Sequence, residues 1–395
     1  MRTNGSFPGG VRPPLIFGLR KEIIFLAVGL HIFWIALTVY RDPATALKAL
    51  KELMNKRRLL RGDFPFLKYA KAGRRYFLSL NQPGWPSSSF RSYYENELNK
   101  VRPFRSDDGR LSTIIFAVTN ECPLRCEHCY EWRNLGGPEP LSLDDLKEIL
   151  EKFQRRGVGQ VQLSGGEPLC RLDDVVELIK SARAGTDFWL LTSGYGLTLE
   201  KAARLKEAGL TGVDVSLDHW DEERHNAFRN DERSFYWVRE AAFNSREVDL
   251  AVCLSLCATR DFITPENLWQ YVHLAKEWGA GFVRILEPRA VGHFAGRDVE
   301  LEEGHVDVLT SFYLAVNADP AYRELPIVTY PGYGQRRIGC VGAGNRYLYV
   351  GPNGGLHACP FCRHEVGNAL VDSLDEAVAK MKSIGCREFE TNAWV

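Results

Sequence analysis

An α/β fold is predicted, with six parallel strands and outer helices forming an open sheet or partial barrel. Three observations carry that prediction. Strand-like and helix-like runs alternate six times between Leu111 and roughly Arg297. The strand-like runs are short and apolar, while the runs between them repeat with helical periodicity, the pattern of β/α units. Three cysteines also follow directly on the first strand, at the end where β/α folds place ligands.

Composition sets the outer bounds. The chain has 395 residues, 45% hydrophobic, 25% charged and 11% aromatic, which excludes a disordered or fibrous protein. Such a length gives one large or two to three modest domains and a core that needs no disulfide staples. Fifty basic residues balance fifty acidic ones, so whole-protein steering toward nucleic acid is not expected. That balance is uneven along the chain. Residues 1–75 carry 15 basic and 4 acidic side chains, +11, and the remainder carries −11.

Taken in order, residues 1–22 are rich in Gly and Pro and read as a flexible N-terminus. The run from Ile23 to Tyr40, IIFLAVGLHIFWIALTVY, has no charged residue. As a helix its eighteen residues span about 27 Å, close to the hydrocarbon thickness of a bilayer. It is read as a transmembrane or membrane-anchor helix, with an interfacial helix as the alternative. A cleaved signal peptide fits poorly, because Tyr40-Arg41-Asp42 offers no small-residue cleavage site. The excess of Lys and Arg after the run places the catalytic part in the cytoplasm. Next, DPATALKALKELMNKRRLLRG sets Ala46, Leu47, Leu50, Leu53 and Met54 on one stripe of a basic helix from Pro43 to Gly62, suited to membrane lipid. Residues 63–106 form an aromatic-rich bridge to which no chemistry is assigned.

The strands expected next are LSTIIFAV, QVQLS, DFWLLTS, GVDVSL, DLAVCLSLCAT and GFVRIL, with helices such as SLDDLKEILEKFQRR, RLDDVVELIKSARA, TLEKAARLKEAG and PENLWQYVHLAKEWG between them. Alternation along the fourth and fifth strands turns Asp214, Ser216, Asp218, Cys253 and Cys257 toward the lumen, with Arg284 on the sixth strand facing it too. Residues 298–395 read as a separate, cysteine-bearing C-terminal domain.

The chemistry concentrates in the cysteines. Cys122, Cys126 and Cys129 lie in one loop at spacings that leave three soft thiolates for an iron–sulfur cluster or, with His128, for zinc. Three ligands rather than four would leave one iron of a 4Fe–4S cube open. Cys340, Cys359, Cys362 and Cys386 form a second set, enough for one fully ligated cluster or a zinc site.

The sequence CPLRCEHC resembles the CxxxCxxC signature of the radical S-adenosylmethionine (radical SAM) superfamily. Gly165-Gly166-Glu167 after the second strand resembles that family's GGE motif, Ser193 closes the third strand, and Ser216-Leu217-Asp218 with Arg229 resembles its SLD…R segment. The resemblance implies a partial (β/α)6 barrel over 107–297, a 4Fe–4S cluster with an open iron site on Cys122, Cys126 and Cys129, and S-adenosylmethionine bound by Gly165, Gly166, Glu167, Ser193, Ser216 and Arg229. Glu167 is expected to accept from the methionine ammonium, and Arg229 to contact ribose and carboxylate. The implied chemistry is reductive cleavage of the cofactor to a 5′-deoxyadenosyl radical that abstracts hydrogen from carbon. A donor such as flavodoxin or ferredoxin is implied as the electron source. Cys340-x13-Gly354-x4-Cys359 resembles the opening of SPASM and twitch auxiliary domains, implying a second 4Fe–4S cluster on residues 298–395. No CX2CX5CX3C follows, so ligands for a third cluster are lacking. Cys257 is a candidate hydrogen-atom donor, with plain packing as the alternative. The helix at 23–40 points the expectation to a lipid or other membrane-delivered substrate. A ribosomally made peptide is the alternative, and a non-catalytic membrane-bound metal scaffold is the reading of another class.

Overall fold

The computed structural model describes residues 14–105, 111–386 and Phe389. Most of the expected flexible N-terminus, residues 1–13, lies outside the described residues, and from Gly18 onward the chain is already helical.

The N-terminal part runs β1 (Leu15–Phe17), α1 (Gly18–Tyr40), α2 (Pro43–Arg61), β2 (Lys68–Ala72), β3 (Arg75–Phe77) and α3 (Ser88–Val101). Pro43 takes the first helical position of α2, and the Asp42 side chain accepts from Thr45 N at 2.8 Å. Six β/α units follow: β4 (Thr113–Ala117), α4 (Leu143–Arg155), β5 (Gln160–Ser164), α5 (Leu172–Lys180), β6 (Asp187–Thr192), α6 (Leu199–Ala208), β7 (Leu210–Ser216), α7 (Glu222–Arg229), α8 (Ser234–Glu247), β8 (Ala251–Cys257), α9 (Pro265–Glu277) and β9 (Phe282–Leu286). The last part holds α10 (Glu303–Ala318), β10 (Ile327–Thr329), α11 (Pro331–Ile338), β11 (Tyr347–Val350), β12 (Gly355–His357), β13 (Glu365–Asn368) and α12 (Leu374–Ile384).

Strands β4 to β9 pair in parallel in sequence order, as the alternation predicts. The C-terminal part does not build a separate sheet. β10 adds in parallel to β9, and β11 adds in parallel to β4, followed by antiparallel β12 and β13. Both open edges of the six-stranded sheet are thereby covered by the segment expected to stand apart, which removes exposed ladder groups that a partial barrel otherwise presents.

Side-chain alternation sorts the two faces. Val213, Val215 and Leu217 of the fourth strand and Leu250, Val252, Leu254 and Leu256 of the fifth join the main core beneath the helices. Cys253, Trp189, Ala251 and Phe282 point the other way and pack with Leu15, Ala70, Phe77 and Leu80. These barrel residues lie at or near strand starts, so the small sheet β1–β3 plugs the N-terminal end of the barrel. Polar contacts hold the plug: Gln160 Nε2 donates to Leu80 O at 3.1 Å, and Arg75 pairs with Asp187 at 2.8 Å. The aromatic bridge is therefore a barrel plug plus the α3 support for α1.

Helix α1 docks by one face only. Val28, Ile35 and Ala36 close on Ala46, Ala49 and Leu53 of α2 and on Phe90, Tyr93, Tyr94 and Leu98 of α3. His31 Nδ1 accepts from Trp85 Nε1 at 2.7 Å, so the one histidine of the apolar run has a protein partner. One face of the apolar run expected to be a transmembrane or membrane-anchor helix is thus held by the enzyme itself.

Candidate active site

The loop after β4 carries all three cysteines of the first set. Cys126 is buried, while Cys122 and Cys129 are half-buried, and all three gather around Leu124, Trp237 and Tyr195. Burial pushes the Cys122 and Cys129 thiols up to about 12. Burial also raises Cys126, but there a cation opposes it. Arg229 Nη1 lies 3.6 Å from Cys126 Sγ, and Arg229 Nε donates to Asp218 Oδ2 at 2.5 Å. The same Asp218 accepts from Cys257 N through Oδ1 at 2.9 Å. Arg229 and Asp218 are both buried, and the ends of β7, α7 and β8 are thus tied to the cysteine loop.

Residues 291–294 form the other wall of the loop. His293 N donates to Cys129 O at 2.9 Å, and its ring stacks on Trp132 at 3.8 Å between centroids. A Cβ on Gly292 would stand 2.2 Å from Cys129 O, so only glycine lets this segment lie there. No sequence motif pointed to His293 or Trp132.

Gly165 and Gly166 serve a similar close approach. A Cβ on Gly166 would lie 2.2 Å from Glu121 O, and Gly165 has φ +135°. Glu167 lies buried at the end of β5. Its carboxylate accepts from Thr192 Oγ1 at 2.7 Å, Ser193 N at 2.7 Å, Ser193 Oγ at 2.5 Å and Leu169 N at 3.1 Å. A carboxylate has about four lone-pair sites, and four protein donors fill them. Glu167 and Ser193 therefore join the ends of β5 and β6. Burial pushes the Glu167 carboxyl up while these donors pull it down. Ser216 closes β7 and is half-buried. Arg284 faces the lumen as expected, but the anion it holds is Asp214, at 3.0 Å.

The second cysteine set converges on the start of β11. All four thiols act electrostatically on half-buried Tyr347, Cys340 and Cys362 each contact Cys386, and Cys359 accepts from Cys362 N at 3.2 Å. Gly354, at φ +82°, turns the β11–β12 hairpin that leads to Cys359. The two cysteine loops touch. Phe361 packs edge-on against Tyr130 at 6.2 Å, and Arg363 pairs with buried Glu131 at 2.5 Å.

The two thiol sets supply the soft ligands that iron–sulfur clusters take. Among the described residues no three His, Cys, Asp or Glu side chains close around one ion position. His128, the fourth zinc ligand considered from sequence, instead stacks on Phe228 at 4.8 Å.

A partial α/β barrel with a three-thiol loop at the strand ends defines a class of iron–sulfur enzymes. Comparison with known proteins agrees: residues 116–276 match the model of the Radical SAM superfamily. The chain carries a radical SAM domain and is a radical SAM enzyme, whose cofactors are a 4Fe–4S cluster and S-adenosylmethionine. It is 28% identical over 273 residues to the mycofactocin maturase MftC of Mycolicibacterium smegmatis, covering 66% of this chain and 67% of that one. To the PqqA peptide cyclase of Bradyrhizobium diazoefficiens it is 35% identical over 164 residues, less than half of either chain at 40% and 42%. In fold it is similar to Streptococcus suis SuiB bound to precursor peptide SuiA, with TM-score 0.53, 14% identity and coverage of 88% and 79%.

Proposed function

We propose that this enzyme activates a C–H bond of a ribosomally made precursor peptide. The observation that carries the reading is similarity over two thirds of the chain to a maturase, with a second four-thiol set packed against the radical SAM loop. The lipid substrate suggested by the N-terminal apolar run has no comparable support, since the relatives' names speak of maturation and peptide cyclisation.

In this reading Cys122, Cys126 and Cys129 hold the open cluster, and Cys340, Cys359, Cys362 and Cys386 hold an auxiliary one. When bound, the open cluster and S-adenosylmethionine together supply hydrogen abstraction from an unactivated carbon. Arg229 steadies the Cys126 thiolate by charge and hydrogen bonding. Gly165 and Gly166 let the β5 end lie against the cysteine loop. Together with these glycines, Glu167, Ser193, Ser216 and Arg229 would hold S-adenosylmethionine at the same rim. Cys257 is the candidate hydrogen-atom donor: burial pushes its thiol up, so it stays protonated as the S–H form that has a hydrogen to give. A flavodoxin- or ferredoxin-type donor would supply electrons.

The test is anaerobic reconstitution with dithionite, S-adenosylmethionine and a deuterated precursor peptide encoded beside the gene. Deuterium in 5′-deoxyadenosine is expected. Absence of 5′-deoxyadenosine despite verified iron content would sink the enzymatic assignment of these thiols, and transfer from a labelled lipid instead would overturn the peptide reading.

A further inference from the structure

We propose that the α1–α2 hairpin seats the enzyme on an anionic lipid surface, with α1 lying in the plane of the membrane. Six large apolar side chains on α1 are exposed: Phe25 to one side, and Leu19, Ile23, Leu26, Leu30 and Trp34, with exposures from 58% to 78%, facing outward together. Their spacings of four, three, four and four residues put them on one stripe, about 22 Å long at 1.5 Å per residue. Only 17% of the apolar window of α1 is buried, and the buried part is the opposite face.

A crossing helix would carry whatever packs on it toward the hydrocarbon, and α1 is packed on one face. Its inner face is held by α2 and α3, which carry Arg57, the Glu52–Arg102 pair and the Arg91–Glu95 pair. Drawing these into lipid would bury charges at high cost, whereas laying the outer stripe on the bilayer moves none of them. In-plane seating is the geometry that satisfies both faces.

Charge then selects the occupant. Arg20, Arg41, Lys48, Lys51 and Arg58 are exposed along the hairpin, against exposed Glu22, Asp42, which caps α2, and Asp63, which pairs with Arg58 at 3.4 Å. Exposed Leu47 and Met54 continue the apolar character onto α2 beside Lys51 and Arg58. An apolar stripe with a basic border matches acyl chains beneath anionic headgroups. A second copy of this chain would instead set two basic borders against each other. The inference is independent of the substrate reading.

The full-length protein should be sedimented with vesicles of phosphatidylcholine alone or mixed with phosphatidylglycerol. Binding should favour the anionic vesicles, fall at high salt and be released by carbonate. Leu26→Asn with Leu30→Asn should weaken it about tenfold or more, and Lys48→Glu with Lys51→Glu should remove the preference for anionic lipid. Both pairs are exposed, so unchanged circular dichroism and iron content should accompany the loss. Resistance to carbonate extraction would show a spanning helix and overturn the proposal. So would equal binding of wild type and variants, or a dimer in solution that Leu26→Asn with Leu30→Asn disperses.

Discussion

Arg363 Nη1 lies 2.5 Å from Glu131 Oε1, joining the residue after Cys362 to the residue two beyond Cys129. Glu131 is 2% exposed and also accepts from Tyr349 Oη and Asn134 Nδ2, both at 2.5 Å. One buried carboxylate thus fixes the C-terminal cysteine loop relative to the radical SAM loop. Removing Arg363 as Arg363→Ala leaves that carboxylate short of its cation. Thermal or chaotrope unfolding should register a loss of about 3 kcal/mol, while Glu131→Gln with Arg363→Gln should cost much less. Equal losses from both would show that the pair does not act as a unit.

Arg229 serves Asp218 and Cys126 with different nitrogens of one planar fork, which a lysine ammonium cannot reproduce. In Arg229→Lys the reconstituted protein should keep its iron but shift the cluster midpoint potential to more negative values, because a hydrogen bond to a ligand sulfur is lost. Formation of 5′-deoxyadenosine should drop about tenfold or more. An unchanged potential in redox titration would remove Arg229 from this role.

Iron counting separates the two cysteine sets. Wild type should hold about eight irons per chain after anaerobic reconstitution, and Cys126→Ala or Cys340→Ala should each bring the number to about four. Only the first substitution should abolish cofactor cleavage outright. Zinc retained in place of iron after Cys126→Ala would assign the C-terminal set to zinc.

Glu97 of α3 provides a pH prediction. Burial pushes its carboxyl up, but Arg346, Lys100 and Arg57 outweigh burial and hold it down to about 2. Its folded value is below its unfolded one, so its contribution is fully present above about 4.5 and is lost as pH falls from there toward 2. The difference corresponds to about 3 kcal/mol of stability. Denaturant midpoints should therefore decline across that window, and Glu97→Gln should flatten the decline. A slope identical in wild type and variant would show that other carboxylates govern acid unfolding.

Much of this enzyme is readable without coordinates because the relevant signals are local. Periods of two and 3.6 placed six strands and their helices, and thiol spacings marked both cysteine sets, since those patterns depend on neighbours a few residues apart. Partner choice does not. Glu167 meets Ser193 across 26 residues, Glu131 meets Arg363 across 232, and Lys68 Nζ reaches the carbonyls of Val316, Tyr322 and Leu325 from the plug. Nor could periodicity tell that residues after 297 would cover both sheet edges, because strand addition depends on which ladder groups the fold leaves open. The apolar run shows the same division. Its length and hydropathy suit a membrane crossing, but only the tertiary structure shows that one face is held by α2 and α3 while an apolar stripe on the other side stays open.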